Sequence, residues 1–314
     1  MRYDFAPMEG ITDAAFRAIH HKHFPGVDRY FMPFLSPTIH RSLTPREQRE
    51  LPLADSVPFC AVPQLIGKNP EDMLWAIQVC KDRGYSEVNL NLGCPSGTVF
   101  SKGKGSGMLR DPDALDRFLD TLFQSTALPL SIKTRIGVAD PEEFDRLLQI
   151  YTQYPLAELI VHPRVRAAFY KGSCFMDAFA LAVERCPFPV CYNGNLNTIA
   201  DIQTFSRRFP TVDRVMIGRG LVANPGLLTP GGVTRDSLAD FVNELCQTYA
   251  QIFGSRRNAI FRMKENWHYL IAMFDDSEKY WKQLRKTTDY DTFSSITQEI
   301  IRTLPLRAEC IPTW

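Results

Sequence analysis

Short apolar runs return eight times in the first 217 residues, at 3–6, 29–34, 60–66, 87–92, 130–135, 158–162, 190–193 and 214–217, each of strand length. Between most of them lie stretches with apolar residues at helical spacing, among them 70–83, 112–124, 141–154 and 198–209. Pro70, Pro112 and Pro141 open three of these, where the first helical turn has no use for an N–H. Such alternation implies parallel strands joined by crossover helices, and eight units close into a (β/α)8 TIM barrel of the α/β class. The rival arrangement, an open doubly wound sheet, concentrates its polar signature at one switch point. Here polar and glycine-bearing sequences end many strands, which favours the barrel.

The alternation stops at residues 224–233, where Asn-Pro-Gly-Leu-Leu-Thr-Pro-Gly-Gly breaks regular structure, and 236–253, 256–274, 277–286 and 293–304 then read as helices. The expected organisation is a barrel over 1–232 and a small helical domain over 233–314. With 45% hydrophobic residues in 314, the chain can bury a substantial core. No apolar run approaches the roughly 20 residues that span a bilayer, and the start lacks a basic region followed by an apolar stretch, so a soluble cytoplasmic protein is expected. A monomer is expected too, because no long apolar helical face is left over. The eight cysteines are scattered without a Cys-x-x-Cys pair, which points to reduced thiols and no metal site; Cys60, Cys80, Cys186 and Cys191 read as core filling. A net charge of +1 excludes a broadly attractive surface for nucleic acid, so any polyanion site must be local.

In a barrel the strand ends converge on one face. Asn193-Gly194-Asn195 and Gly218-Arg219-Gly220 end the last two strands and offer unobstructed backbone N–H groups and a guanidinium, the requirements of a phosphate. A ligand held there extends over the barrel mouth, where Gln64 has a donor and an acceptor for a flat heterocycle and Lys133 has positive charge for a ring that becomes anionic on reduction. That combination describes a flavin, with Pro7 and Met8 against its face and His162 close by. Arg164 and Arg166 point towards whatever covers it. Cys94 sits in Gly-Cys-Pro at a strand end, in no metal-ligand spacing. A thiol of pKa about 8.5 is protonated at neutral pH and is a competent acid for the carbon next to one that receives hydride. Asn91 shares a strand face with Asn89 and can hold a carbonyl or imide.

Together Ala6-Pro-Met-Glu-Gly-Ile-Thr-Asp13, Gln64-Leu-Ile-Gly67, Asn89-Leu-Asn-Leu-Gly-Cys-Pro95, Lys133-Thr-Arg-Ile-Gly137, Val161-His162, Asn193-Gly194 and Met216-Ile-Gly-Arg-Gly220 resemble the tRNA-dihydrouridine synthase family, over nearly the whole chain. Arg262-Met-Lys-Glu-Asn-Trp-His-Tyr-Leu270 resembles its RNA-facing helix. The resemblance implies an FMN-bearing barrel that uses NADPH to reduce the C5=C6 bond of a uridine in tRNA. By position it makes Cys94 the general acid, turns Asn91 and Arg164 to the uracil, and sets Pro7, Met8, Gln64, Lys133, His162, Asn193, Gly194, Asn195, Gly218, Arg219 and Gly220 around FMN. Extrusion of the base is required, since a flavin in a barrel mouth cannot reach a stacked nucleotide. The Ser101-Lys-Gly-Lys-Gly105 loop is expected to be mobile and to close over the base, with Lys102 and Lys104 on phosphate, while Arg256, Arg257, Arg262 and Lys264 supply a local basic patch.

Departures lie on the substrate side. Met32-Pro33-Phe34 replaces a Thr-Glu or Ser-Glu pair, His162-Pro-Arg-Val165 replaces His-Gly-Arg-Thr, and Ala167-Ala-Phe169 replaces Glu-Gln-Gly before Tyr170. Two other readings therefore stay open: an FMN oxidoreductase of a small unsaturated molecule or of another RNA, and a non-catalytic protein that assists tRNA folding.

Overall fold

The structure, a computed structural model, describes residues 1–310. Its strands are β1 (Arg2–Phe5), β2 (Arg29–Phe31), β3 (Cys60–Val62), β4 (Gln64–Leu65), β5 (Val88–Leu92), β6 (Leu130–Arg135), β7 (Glu158–His162), β8 (Val190–Asn193) and β9 (Arg214–Ile217). They form one sheet in the order β3-β2-β1-β9-β8-β7-β6-β5-β4. Every pairing with a defined register is parallel. The strand expected at 60–66 is broken in two by Pro63, which has no N–H for the ladder. Its halves are the two ends of the sheet order, and Leu35 closes the ring by bridging to Leu65. The fold is thus a nearly closed eight-unit TIM barrel. Ala6, Phe31, Val62, Ile160, Cys191 and Met216 fill its interior.

The chain divides into two compact units. The first comprises Met1–Pro7, Arg29–Gly194 and Phe209–Met216, and holds the sheet up to Met216. Its crossover helices include Pro70–Asp82, Pro112–Ser125, Glu143–Tyr151 and Met176–Arg185. In Pro112–Ser125, Leu115, Phe118, Leu119 and Leu122 recur on one face and are buried, while Asp111 accepts the N–H of Ala114 at 2.9 Å as the cap. The helix expected from 141 begins at Glu143, whose carboxylate accepts the N–H groups of Val138, Ala139 and Asp140.

Beneath the mouth, at the strand starts, is a buried charge cluster. Asp4 receives Arg29 Nη2 at 2.6 Å and Arg214 Nη1 at 2.8 Å, and Glu158 receives Arg29 Nη2 at 2.5 Å. Asp4, Glu158 and Cys191 are close enough together to hold a metal ion, but both carboxylates are engaged by guanidinium groups. Cys80 and Cys191 are core residues as expected. Cys60 is exposed and Cys186 half-buried, a correction: each lies at the outer end of its element, where the apolar run meets solvent.

The second unit comprises Met8–Asp28, Asn195–Arg208 and Ile217–Trp314, of which residues up to 310 are described. Helix Ala14–His23 lies against helix Arg235–Phe253, with Phe241 receiving the rings of Phe16 and Phe24 at centroid distances of 5.7 and 5.4 Å. Burial pushes the His20 imidazole down to about 3, and its Nε2–H donates to the Pro225 carbonyl at 2.9 Å. Helices Arg256–Leu270, Glu278–Lys286 and Tyr290–Thr303 complete it. No helix among the described residues is long and apolar enough to cross a membrane.

Candidate functional site

Because parallel ladders align residues row by row, the strand register stacks polar side chains inside the barrel. Gln64, Asn89, Ser131 and Glu158 form one row, Asn91, Lys133, Ile160 and Cys191 the next, and Arg135 with His162 a third. A hydrogen-bond chain climbs these rows. Ser131 Oγ donates to Glu87 at 2.5 Å, Asn89 Nδ2 to Ser131 Oγ at 2.9 Å, Gln64 Nε2 to Asn89 Oδ1 at 2.8 Å, and Asn91 Nδ2 to Gln64 Oε1 at 2.8 Å. The chain ends where Asn91 Oδ1 accepts the backbone N–H groups of Gly93 at 3.1 Å and Cys94 at 2.9 Å. Ser131 and Glu87 were not singled out from the sequence. Their signal was the alternation Glu87, Asn89, Asn91, a polar face on an otherwise apolar strand.

Cys94 is half-buried. Its carbonyl accepts Ser106 Oγ at 2.6 Å, and Gly105, at φ 57°, packs so closely that an added Cβ would stand 3.1 Å from that of Cys94. A short helix over Gly97–Ser101 and a 3-10 turn over Gly105–Arg110 flank the loop expected to close over the base. Lys104 Nζ donates to Ser36 Oγ at 2.9 Å, while Lys102 is exposed.

Lys133 is the outlier. Its ammonium has no hydrogen-bond or ion-pair partner among the described residues, and loss of water plus the nearby Arg135 charge bring it down to about 8 from 10.5. A thiolate at Cys94 would favour the charge on both Lys133 and Arg135. Arg135, within the Lys133-Thr-Arg-Ile-Gly137 motif, clamps the rim: Nε donates to the Gly93 carbonyl and Nη1 to the Val165 carbonyl, both at 3.0 Å.

Arg164 is the residue expected to turn to the substrate. It is fully buried, donating from Nη1 to His162 Nε2 at 2.9 Å and from Nη2 to the Gly172 carbonyl at 2.5 Å. A guanidinium can only donate, so Nε2 of His162 is the acceptor nitrogen. His162 also stacks on Tyr170, with centroids 6.0 Å apart. Asn193 Nδ2 donates to the Met216 carbonyl at 2.8 Å, and a Cβ on Gly194 would collide with the Tyr192 ring. Pro7 is half-buried.

In the second unit, Met8 begins a turn closed by Thr12, whose Oγ1 accepts the Met8 N–H at 2.9 Å. Arg219 Nη2 donates to Asn195 Oδ1 at 3.3 Å. Gly218 precedes the short helix Arg219–Ala223, and a Cβ on Gly220 would strike the Leu196 carbonyl. The basic patch is thinner than expected. Arg262 is bound to the Gly10 carbonyl and lies 3.8 Å from Asp13, and Lys264 donates to the carbonyls of Arg285 and Thr287. Arg256 and Arg257 remain exposed, over the rings of Tyr290 and Phe261.

Residues 4–309 match the family model described as dihydrouridine synthase (Dus). The chain is 29% identical over 257 residues to tRNA-dihydrouridine synthase B of Pasteurella multocida (strain Pm70), covering 80% of this chain and 76% of that protein. It is 25% identical over 279 residues to the protein of the same name from Vibrio cholerae, covering 84% of each. Among solved structures, morphinone reductase superposes with a TM-score of 0.51 at 13% identity, over 72% of this chain and 84% of that one, a likeness of fold alone. With strand-end motifs, barrel and family match in agreement, this chain belongs to the dihydrouridine synthase family.

Proposed function

We propose that the protein is a flavin oxidoreductase that reduces the C5=C6 bond of uridines in tRNA to dihydrouridine, with FMN as its flavin and NADPH as reductant. The observation that carries this reading is Lys133, an unpartnered ammonium inside a barrel mouth, next to the rows that lead to Cys94. A cation left without a counter-charge in such surroundings suits an anionic ring edge. The donor set therefore fits a flavin, with Lys133, His162 and Asn193 of the first unit as its holders. Asn195 and Arg219, joined in the second unit, are a candidate for an anion. A bound flavin supplies the hydride.

The chain supplies the rest. Cys94 Sγ holds the proton destined for C5, on a turn fixed by Asn91, Arg135 and Ser106. Gln64 orients Asn91 through its carbonyl, and one amide hydrogen of Asn91 has no partner among the described residues, so it can meet a uracil carbonyl. Arg257, and Arg256 with Asp291 4.0 Å away, are the exposed cations of the patch that can face RNA.

The test is nucleoside mass spectrometry, mapped by position, on tRNA from cells with and without the gene. Loss of dihydrouridine at a defined site supports the reading, and Cys94→Ala should then fail to restore it. Unchanged tRNA, together with a yellow protein that oxidises NADPH, would move the assignment to another RNA or to a small unsaturated molecule.

A further inference from the structure

The loop after β7 carries a group that the chemistry above does not use. The Arg166 guanidinium has no hydrogen-bond or ion-pair partner among the described residues, and its Nε is shielded from solvent without an acceptor. It is held instead by rings, 4.2 Å from the centroid of Phe100 and 5.0 Å from that of Phe169. A second guanidinium, that of Arg110, lies 4.5 Å from the same Phe100 centroid. Phe169 is 42% exposed and its backbone has φ 50° and ψ −101°, a conformation that L side chains rarely adopt. A large apolar ring is thus kept in water at a strained position, and such outliers persist where the surroundings fix them and function uses them.

The electrostatics select the occupant. Residues 95–110 and 163–176 together contain Lys102, Lys104, Arg110, Arg164, Arg166 and Lys171, and no Asp or Glu. The neighbouring segment 137–143 bonds to this loop through Arg166 N and Ala167 N and carries three acids: Glu143 is taken up by the N–H groups of residues 138–140, Asp140 accepts the N–H of Glu142, and Glu142 is exposed, so the cations of the two loops outnumber these carboxylates six to three. In a chain of net charge +1 this is a local site for a polyanion with flat, stackable faces.

We propose that Arg166 and Phe169 form a nucleotide-holding element, in which the guanidinium takes a phosphate and the ring takes the face of an unstacked base of the RNA substrate. Placed after β7 beside the segment that covers Cys94, it grips the strand close to the nucleotide that is reduced. Arg166 sits on Phe100 of that covering segment, so the same contact ties the RNA grip to the Cys94 side of the mouth.

This inference rests on the RNA reading above, and one titration separates the two. Binding of a tRNA transcript lacking modified nucleosides is measured for the holoenzyme over a series of KCl concentrations, for the parent, Phe169→Leu, Phe169→Trp, Phe169→Gly and Arg166→Gln. Loss of one base stack should weaken binding about tenfold in Phe169→Leu with the salt dependence unchanged, while Phe169→Trp binds like the parent. Arg166→Gln should lower the slope of log K against log[salt] by about 0.7 to 0.9. Phe169→Gly should bind as weakly as Phe169→Leu yet melt at a higher temperature, because glycine accepts this backbone without strain. Phe169→Leu and Arg166→Gln that match the parent in affinity and slope overturn the proposal while the RNA reading stands. A purely structural role for the ring is the case if Phe169→Leu melts lower and binds normally, and that too overturns it. A parent protein that binds no transcript at any salt concentration overturns both.

Discussion

Asn91 Oδ1 accepts the backbone N–H of Cys94 at 2.9 Å, while its Nδ2 donates to Gln64 Oε1 at 2.8 Å, so one amide fixes both the strand and the turn that carries the thiol. Asn91→Ala removes both bonds and leaves Gln64 Oε1 buried without its donor. A displacement of the acid by about 1 Å can cost about 100-fold in rate. The expected result is a fall of that order in the oxidation of pre-reduced flavin by RNA. Asn91→Asp, which keeps the acceptor for Cys94 N–H but loses the donor to Gln64, should fall less. Stopped-flow traces of flavin reoxidation for the two variants check this; equal losses would place the importance of Asn91 at Gln64.

Lys133 gives a pH signature. Its ammonium is held near 8 by loss of water and by Arg135, against 10.5 when solvated. Between these values the unfolded chain binds the extra proton, so stability of the flavin-free protein should rise with pH from about 8 to about 10.5. Below about 8 both states carry the charge and the full penalty is present, at most about 3 kcal/mol. Lys133→Met should flatten that rise and melt higher at neutral pH in the flavin-free state. Flavin affinity should show the opposite trend, falling in the parent above pH 8 as the cation is lost, and should be weak and pH-independent in Lys133→Met. Thermal melts and fluorescence titration of FMN across this range decide it.

Much of this was legible in the sequence where local chemistry sets the answer. The strands at 130–135, 158–162, 190–193 and 214–217 have the expected bounds because each is an apolar run of strand length between turn-forming residues. Pro33 and Pro63 shortened or broke two others, since each lacks the N–H a ladder needs. The rim was harder to read. Arg164 looks like a surface arginine in a loop sequence, and only the fold shows that it turns inward to His162 and Gly172. Arg262 and Lys264 likewise share a basic helix with Arg256 and Arg257, but their acceptors are carbonyls distant in sequence, at Gly10, Arg285 and Thr287. Side-chain direction depends on such partners, and spacing alone does not reveal them.

Arg164 sets the tautomer of His162. With Nε2 accepting from the guanidinium, the proton of a neutral imidazole is on Nδ1. Nitrogen-15 chemical shifts of His162 in the parent should report an unprotonated Nε2. In Arg164→Met the ring is released to mix tautomers, and FMN affinity should fall about tenfold, the scale of one lost charge-assisted hydrogen bond. Arg164→Lys should recover little, because an ammonium is a compact point charge without the planar fork that reaches His162 and the Gly172 carbonyl together. An Nε2-protonated ring in the parent would refute the assignment.

The charge cluster at the strand starts separates two kinds of buried group. Arg29 serves Asp4, Glu158 and Glu87 at once, so Arg29→Met leaves Asp4 and Glu158 facing only Arg214 and takes the guanidinium from Glu87, which should cost about 3 to 5 kcal/mol in denaturant unfolding. Glu158 is different: burial raises its carboxyl from 4.5 to about 7, with the Arg29 charge only partly offsetting it. The folded chain therefore binds the extra proton between those values, and this residue's contribution to stability falls as pH rises from about 4.5 to about 7. Glu158→Gln imitates the protonated form, so it should remove that slope and change stability by less than about 1 kcal/mol at acid pH. At pH 8 it should unfold at the same or a higher denaturant concentration than the parent. A large loss for Glu158→Gln at pH 8 would instead make its ionised pair with Arg29 and Arg214 the stabilising element of the barrel floor.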